Sequence, residues 1–201
     1  LVTLDEVSDF LKAGPQQRAD WQWQYYSRDA VRPEQVRNVE LGYRSTWWNR
    51  LYLDATYYYS WYTDFIGYHL GLRIDDDPGG SAANRLKSVQ AYRIASNATQ
   101  HVTTQGFSLG ANYYVSRYTL SGNYTWNVLN SGEDDPIIPA YNTPEHKYNI
   151  SVAGRDLDWN LGKGRCGFMA TYKWVQGFLF EGAPQFTGRI PSYGLVDAQA
   201  T

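Results

Sequence analysis

The sequence of 201 residues predicts an all-β fold, an antiparallel transmembrane β-barrel segment of about seven strands with one short helix near its start. Three observations carry this. Apolar residues recur at every second position from residue 36 onward. Short and long connections alternate between the resulting strands. The composition is rich in Tyr (18) and Trp (8), against 7 Phe and a single Met. Tyr and Trp join an apolar body to a polar tip, which suits a surface that meets both lipid and water.

Taken in order, residues 3 to 14 read as the helix. Thr3 and Glu6 form a T-x-x-E capping box, Val7, Phe10 and Leu11 make an apolar stripe, and Gly14-Pro15 stops it. A helix of about three turns needs a surface to pack on, a neighbouring loop or a partner protein. Residues 15 to 35 are polar with interspersed aromatics and read as loop. Strands are expected near 36–46 and across Arg50–Tyr62, where Leu51, Leu53, Ala55, Tyr57, Tyr59 and Trp61 face one way and Asp54, Thr56 and Ser60 the other. The next puts Phe107, Leu109, Ala111, Tyr113 and Val115 opposite Ser108, Gly110 and Asn112. After a tight turn the parity switches to Tyr118, Leu120, Gly122, Tyr124, Trp126 and Val128. Tyr148, Ile150, Val152 and Gly154, then Phe168, Ala170, Tyr172 and Trp174, repeat the pattern, and a last strand starts at 193. None of these apolar-face positions carries a charge. Residues 1–35 are thus expected to form an extracellular loop with a short helix, and 36–201 a partial barrel.

Short turns are expected at Trp47-Trp48-Asn49 and Ser116-Arg117, with a modest one over 156–164, and long connections over 67–88, 129–145 and 179–192. Outer-membrane barrels alternate in this way between short periplasmic turns and long extracellular loops. Tyr118 to Trp126 spans about 27 Å along a strand at ~3.4 Å per residue. A tilt of 40–45° brings that to about 20 Å of height, close to the ~25 Å apolar band of such barrels. Tyr113 and Tyr118 are therefore expected in the lower aromatic girdle, and Tyr59, Trp61, Trp126 and Trp174 in the upper one.

The mean hydropathy of -0.54 is compatible with a barrel, because only alternate strand residues meet lipid. No run of 18 apolar residues is present, so no transmembrane helix is expected, and the first residues do not read as a signal peptide. A net charge of -2 gives no basic patch for nucleic acid. The lone Cys166 excludes an internal disulfide and a multi-cysteine metal site. Gly162 to Gly167 matches G-x-G-x-x-G, yet the alternation of Phe168 to Trp174 predicts a strand where a dinucleotide site needs a helix. Asp75-Asp76-Asp77 and Glu133-Asp134-Asp135 lack EF-hand spacing and read as solvated acidic loops. His69, His101 and His146 stand far apart, without the partners of a zinc site, and no G-x-S-x-G elbow anchors a catalytic triad. The sequons at Asn97, Asn123 and Asn149 read as chance, two of them lying within strands. No catalytic, metal or cofactor site is expected.

Several stretches resemble TonB-dependent receptors, particularly those of Bacteroidetes-type bacteria. Arg32 to Arg44 is similar to the family's Pro-Glu…Glu-x-Gly-Tyr strand, and Leu51 to Ile66 to the strand that follows. Thr104 to Gly110 with Leu120 to Trp126, Asn142 to Lys147 with its Pro144 and His146, and Ile190 to Ala198 complete the likeness. In order and spacing they cover roughly residues 30 to 201.

The resemblance implies a barrel of about 22 strands with a plugged lumen, this segment lying in its C-terminal half shortly before the last two strands. Seven strands cannot close so wide a barrel, so plug, TonB box and final strand are expected elsewhere in a longer chain. The implied function is uptake of a nutrient ligand (small molecule, glycan or peptide), driven by TonB acting on parts outside this segment. Membrane lipid, lipopolysaccharide and a surface lipoprotein are the implied neighbours. Trp21, Trp23, Tyr25, Tyr26, Tyr68 and Tyr141 fall in connections at the long-loop end and are candidate ligand contacts. Two rivals remain at this point. One is a secreted β-sandwich that binds carbohydrate through exposed aromatics; the other is a passive porin or adhesive barrel.

Overall fold

The computed structural model describes residues 1–81, 83–131, 141–158, 164–182 and 187–201. Two helices come first, α1 (Leu4–Lys12) and α2 (Pro15–Ala19). Among the described residues eleven strands follow: β1 (Gln35–Trp47), β2 (Leu51–Thr63), β3 (Ile66–Asp76), β4 (Leu86–Asn97), β5 (Val102–Val115), β6 (Tyr118–Asn130), β7 (His146–Asp158), β8 (Arg165–Val175), β9 (Phe178–Phe180), β10 (Gly188–Ile190) and β11 (Tyr193–Ala200). Seven of them form one antiparallel sheet in the order β1-β2-β5-β6-β7-β8-β11, the strands that the alternation predicted.

The register shows why the alternating pattern matters. Directly opposed residues share a face of a sheet. Leu53 opposes Ala111, Leu109 opposes Tyr124, Leu120 opposes Val152, Ile150 opposes Tyr172, and Phe168 opposes Gly154. All five apolar stripes therefore join into one continuous apolar face. Asp54, Ser108, Asn123, Asn149 and Lys173 lie on the reverse, where Arg44 pairs with Asp54 at 2.7 Å, Asn149 donates to Asn123 at 3.0 Å, and Lys173 pairs with Asp197 at 2.7 Å. Leu109 is 46% exposed and Ile150 53%, so among the described residues no second sheet covers this face as a sandwich would require.

Both ends of the sheet are defined by its connections. Trp48 and Asn49 adopt φ of 52° and 54°, and Arg50 N–H donates to the Trp47 carbonyl at 3.0 Å. Ser116 closes the β5–β6 turn at φ 53°. The N-terminal segment and every longer connection among the described residues, those after β2, β6 and β8, leave from the opposite end. β7 carries a bulge between Gly154 and Leu157, with Asp156 at φ 51°.

Four expectations change. Residues 67–88 are no open loop: Ile66–Asp76 and Leu86–Asn97 pair as a hairpin separate from the main sheet. A small β9–β10 pair likewise occupies part of the 179–192 connection. Residues 15–19 form α2, with Pro15 at its first position, where a missing N–H costs nothing. Finally, α1 buries Val7 and Phe10 but leaves Leu11 56% exposed. Thr3 caps α1 by accepting from Glu6 N–H at 3.1 Å. The Glu6 carboxylate instead accepts from Gln24 N–H at 2.5 Å, tying the following loop to the helix.

Candidate functional site

The long-connection end of the sheet carries a small folded unit. Val2 adds to the edge of β3 through paired backbone bonds with Leu72 at 2.9 and 3.0 Å. Val2, Val7 and Leu72 then form a buried core, with Trp23, Ile74 and Leu86 packed against it. Phe10 sits between Trp21 and Trp23, at ring distances of 5.6 and 4.8 Å. Arg85 clamps the unit. Its side chain is 7% exposed and forms a two-point ion pair with Asp76. The remaining N–H groups donate to the carbonyls of Arg18, Ala19 and Trp21 at 2.6 to 2.8 Å. Of these carbonyls, that of Arg18 also accepts from Trp21 N–H at 3.3 Å, whereas those of Ala19 and Trp21 lie where a helix end leaves its carbonyls unpaired. Residues 1–26 and the β3–β4 hairpin are thus one body.

A knot of polar side chains fixes the base of this body to the rim of the sheet. Asn97 accepts from Arg32 N–H at 2.7 Å and donates to the carbonyls of Arg32 and Asp64 at 2.9 and 2.6 Å. Arg32 also pairs with Asp64 at 2.7 Å, and Glu34 accepts from Ile66 N–H at 2.9 Å. A cavity of about 720 Å³ opens beside the knot, with Arg28, Asp29 and Arg32 on one wall and Tyr62, Asp64 and His101 among the others.

The aromatic candidates for ligand contact divide by position. Trp21 and Trp23 pack inside the helical unit, with buried indole N–H groups that meet no acceptor among the described residues. Tyr26 donates to the Leu70 carbonyl at 3.3 Å, under the guanidinium of Arg28. Tyr25 is 64% exposed. Tyr68 lies beneath Arg93, whose guanidinium carbon sits 4.0 Å from the ring centroid. Tyr141 hydrogen-bonds Tyr58 and neighbours Tyr62; burial and these phenols push its hydroxyl well above its ordinary range. Tyr58 and Tyr62 alternate onto the polar face, where Tyr58 donates to Asn127 at 2.9 Å. Tyr58, Tyr62 and Tyr141 thus form a tyrosine group at the mouth. Of these the sequence singles out only Tyr141, because Tyr58 and Tyr62 stand in a run of tyrosines whose alternation marks the opposite face.

Tyr59, Trp61, Tyr113, Tyr118, Trp126 and Trp174 all fall on the apolar face by register. Tyr113 and Tyr118 flank the Ser116-Arg117 turn, and the other four lie towards the long-connection end. Trp126 donates its indole N–H to Glu145 at 3.0 Å, and Tyr124 beside it meets His146 at 2.5 Å. Among the described residues no group of three metal-binding side chains occurs. Asp76 and Asp77 are taken up by Arg85 and Lys87, whereas Glu133 to Asp135 lie outside the described residues. Gly167 sits within strand β8, so no helix follows the glycine motif.

Comparison with known proteins agrees with this architecture. The family model described as "TonB dependent receptor-like, beta-barrel" matches residues 13–201. No curated protein matches the chain. Among solved structures, a copper transporter, OprC, superposes with a TM-score of 0.61 at 14% identity, over 86% of this chain and 24% of that one. The ferric yersiniabactin uptake receptor FyuA of Yersinia pestis gives 0.56 at 19% identity, over 83% and 22%. The FrpB iron transporter of Neisseria meningitidis gives 0.54 at 15%, over 86% and 24%. At these identities the likeness is one of fold, and the chain spans about a quarter of their length. An open seven-stranded sheet, apolar on one face and polar on the other, together with a family match across nearly its whole length, makes this chain part of the TonB-dependent receptor β-barrel family.

Proposed function

We propose that this chain is part of the C-terminal half of a Bacteroidetes-type outer-membrane receptor that takes up a nutrient ligand under the drive of TonB. The observation that carries the reading is the single apolar face running unbroken through the five registered strands β2 and β5 to β8, backed by a polar face of ion pairs and amides. Such a sheet is stable where lipid covers one side and a filled polar lumen the other. The open edges of β1 and β11 call for neighbouring strands, consistent with a barrel of about 22. In this reading residues 1–35 and the longer connections lie outside the cell. The six aromatics of the apolar face form the two girdles, against membrane lipid and lipopolysaccharide. The tyrosine group and the cavity face the incoming ligand, a surface lipoprotein docks on the outer loops, and TonB acts through parts of the receptor outside this segment.

The complete receptor, in its own cells, tests the proposal. Uptake of its ligand should stop when TonB is deleted or the proton gradient is collapsed, with receptor levels in the outer membrane unchanged. Uptake that continues under both conditions would make the barrel a passive channel.

A further inference from the structure

We propose that the cleft of about 720 Å³ between the helix–hairpin body and the rim of the sheet binds an uncharged, polyhydroxylated ligand, a segment of oligosaccharide. This rests on the uptake reading above and names its substrate class. The size fits a ligand of a few sugar rings. The cleft is preformed, because Asn97, Arg32 and Asp64 lock its floor through one another and so remain committed to structure.

Recognition then falls to side chains that the knot leaves uncommitted. Among the described residues Asp29 and His101 lie in the wall without a partner, and Arg28 meets the His69 ring and the face of Tyr26. A carboxylate only accepts hydrogen bonds and a guanidinium only donates them, whereas neighbouring hydroxyls on a sugar do both. Asp29 beside Arg28 therefore matches a pair of ring hydroxyls. Tyr62 supplies an aromatic wall, braced edge-on by Phe65 at 5.4 Å. The charges argue against a ligand with net charge. Two arginines and two aspartates leave the lining without net charge, so an anionic metal chelate meets Asp29 and Asp64, and a cation meets Arg28 and Arg32.

The full receptor, purified in detergent, is titrated calorimetrically with neutral hexose oligosaccharides, a ferric catecholate and a mixture of tripeptides. Binding of an oligosaccharide is expected, falling at least tenfold in Asp29→Ala and in Arg28→Met, with both variants retaining the heat-modifiable gel mobility of a folded barrel. Failure to bind any of the sugars, binding of the chelate or peptides alone, or sugar binding unchanged in both variants would overturn the proposal. Energised uptake is measured separately. Sugar bound through Asp29 yet admitted without TonB would sink the transport reading and leave this site standing.

Discussion

Arg85 and Asp76 form a two-point ion pair, Nε to Oδ1 at 2.9 Å and Nη2 to Oδ2 at 3.2 Å, with the two side chains only 7% and 11% exposed. A guanidinium so far out of water is tolerated because the rest of its donors reach three backbone carbonyls. Removing one partner of a buried pair leaves the other charge uncompensated, at about 3–5 kcal/mol. Arg85→Met should therefore loosen residues 1–26 and 66–97 together, speeding their amide exchange by two orders of magnitude or more while β5 to β8 keep their protection. Faster exchange in the hairpin alone would show that the helices and the hairpin are independent.

The tip of the same hairpin carries a weaker, exposed pair, Asp77 to Lys87 at 2.9 Å. The Lys87 ammonium holds the Asp77 carboxyl below its ordinary range, and Asp77 in turn raises Lys87. A depressed carboxylate stabilises the fold above its unfolded pKa of about 3.9, and that contribution fades as pH falls through the lower folded value. The raised lysine contributes below about 10.4 and loses its effect as pH climbs through its folded value. Lys87→Met should move the Asp77 carboxyl titration upward, back towards 3.9, as followed by NMR of the carboxyl carbon. An unmoved midpoint would mean that the pair does not form in solution.

Gly106 is required by close packing on the polar face. A Cβ there would lie 2.5 Å from the Trp126 carbonyl oxygen, 2.7 Å from Asn127 Oδ1 and 2.8 Å from the Tyr58 ring. The side chains can yield, whereas the backbone oxygen cannot without disturbing the β5–β6 ladder. Gly106→Ala is expected to destabilise the barrel by about 1–3 kcal/mol in urea titrations. Adding Tyr58→Ala should recover only part of that loss, so full recovery would place the conflict on the ring alone.

How far the sequence could be read follows from these same residues. The seven strands of the sheet were legible because lipid and lumen impose opposite demands on alternate positions, and a face such as Leu51 to Trp61 bears that stamp directly. The β3–β4 hairpin is masked in the sequence although Ile66, Tyr68, Leu70, Leu72 and Ile74 alternate cleanly. Its intervening Gly67, His69, Gly71 and Arg73, and the Asp75-to-Gly80 run behind it, have the composition of a loop. Helical period alone places Leu11 on the packing stripe, but α1 buries Val7 and Phe10 and leaves Leu11 exposed. The Arg85 clamp and the cleft could not be seen at all, since they join residues more than 60 positions apart.

The apolar face itself offers the most decisive measurement. Leu109 lies in the middle of β5, opposite Ala55 on one side and Tyr124 on the other, and is 46% exposed. Its neighbour Ser108 opposes Thr56 and Thr125 on the polar face. A charge on the lipid side near the bilayer midplane costs about 2–4 kcal/mol, because a guanidinium there must snorkel or draw water into hydrocarbon. Leu109→Arg should lower the unfolding free energy of the complete barrel in lipid vesicles by that amount, with Ser108→Arg costing under about 1 kcal/mol. The pair separates two assignments of the faces. Were Ser108→Arg the costlier of the two, the polar face would be the one in lipid, and the registered stripes from Leu53 to Phe168 would line the interior instead.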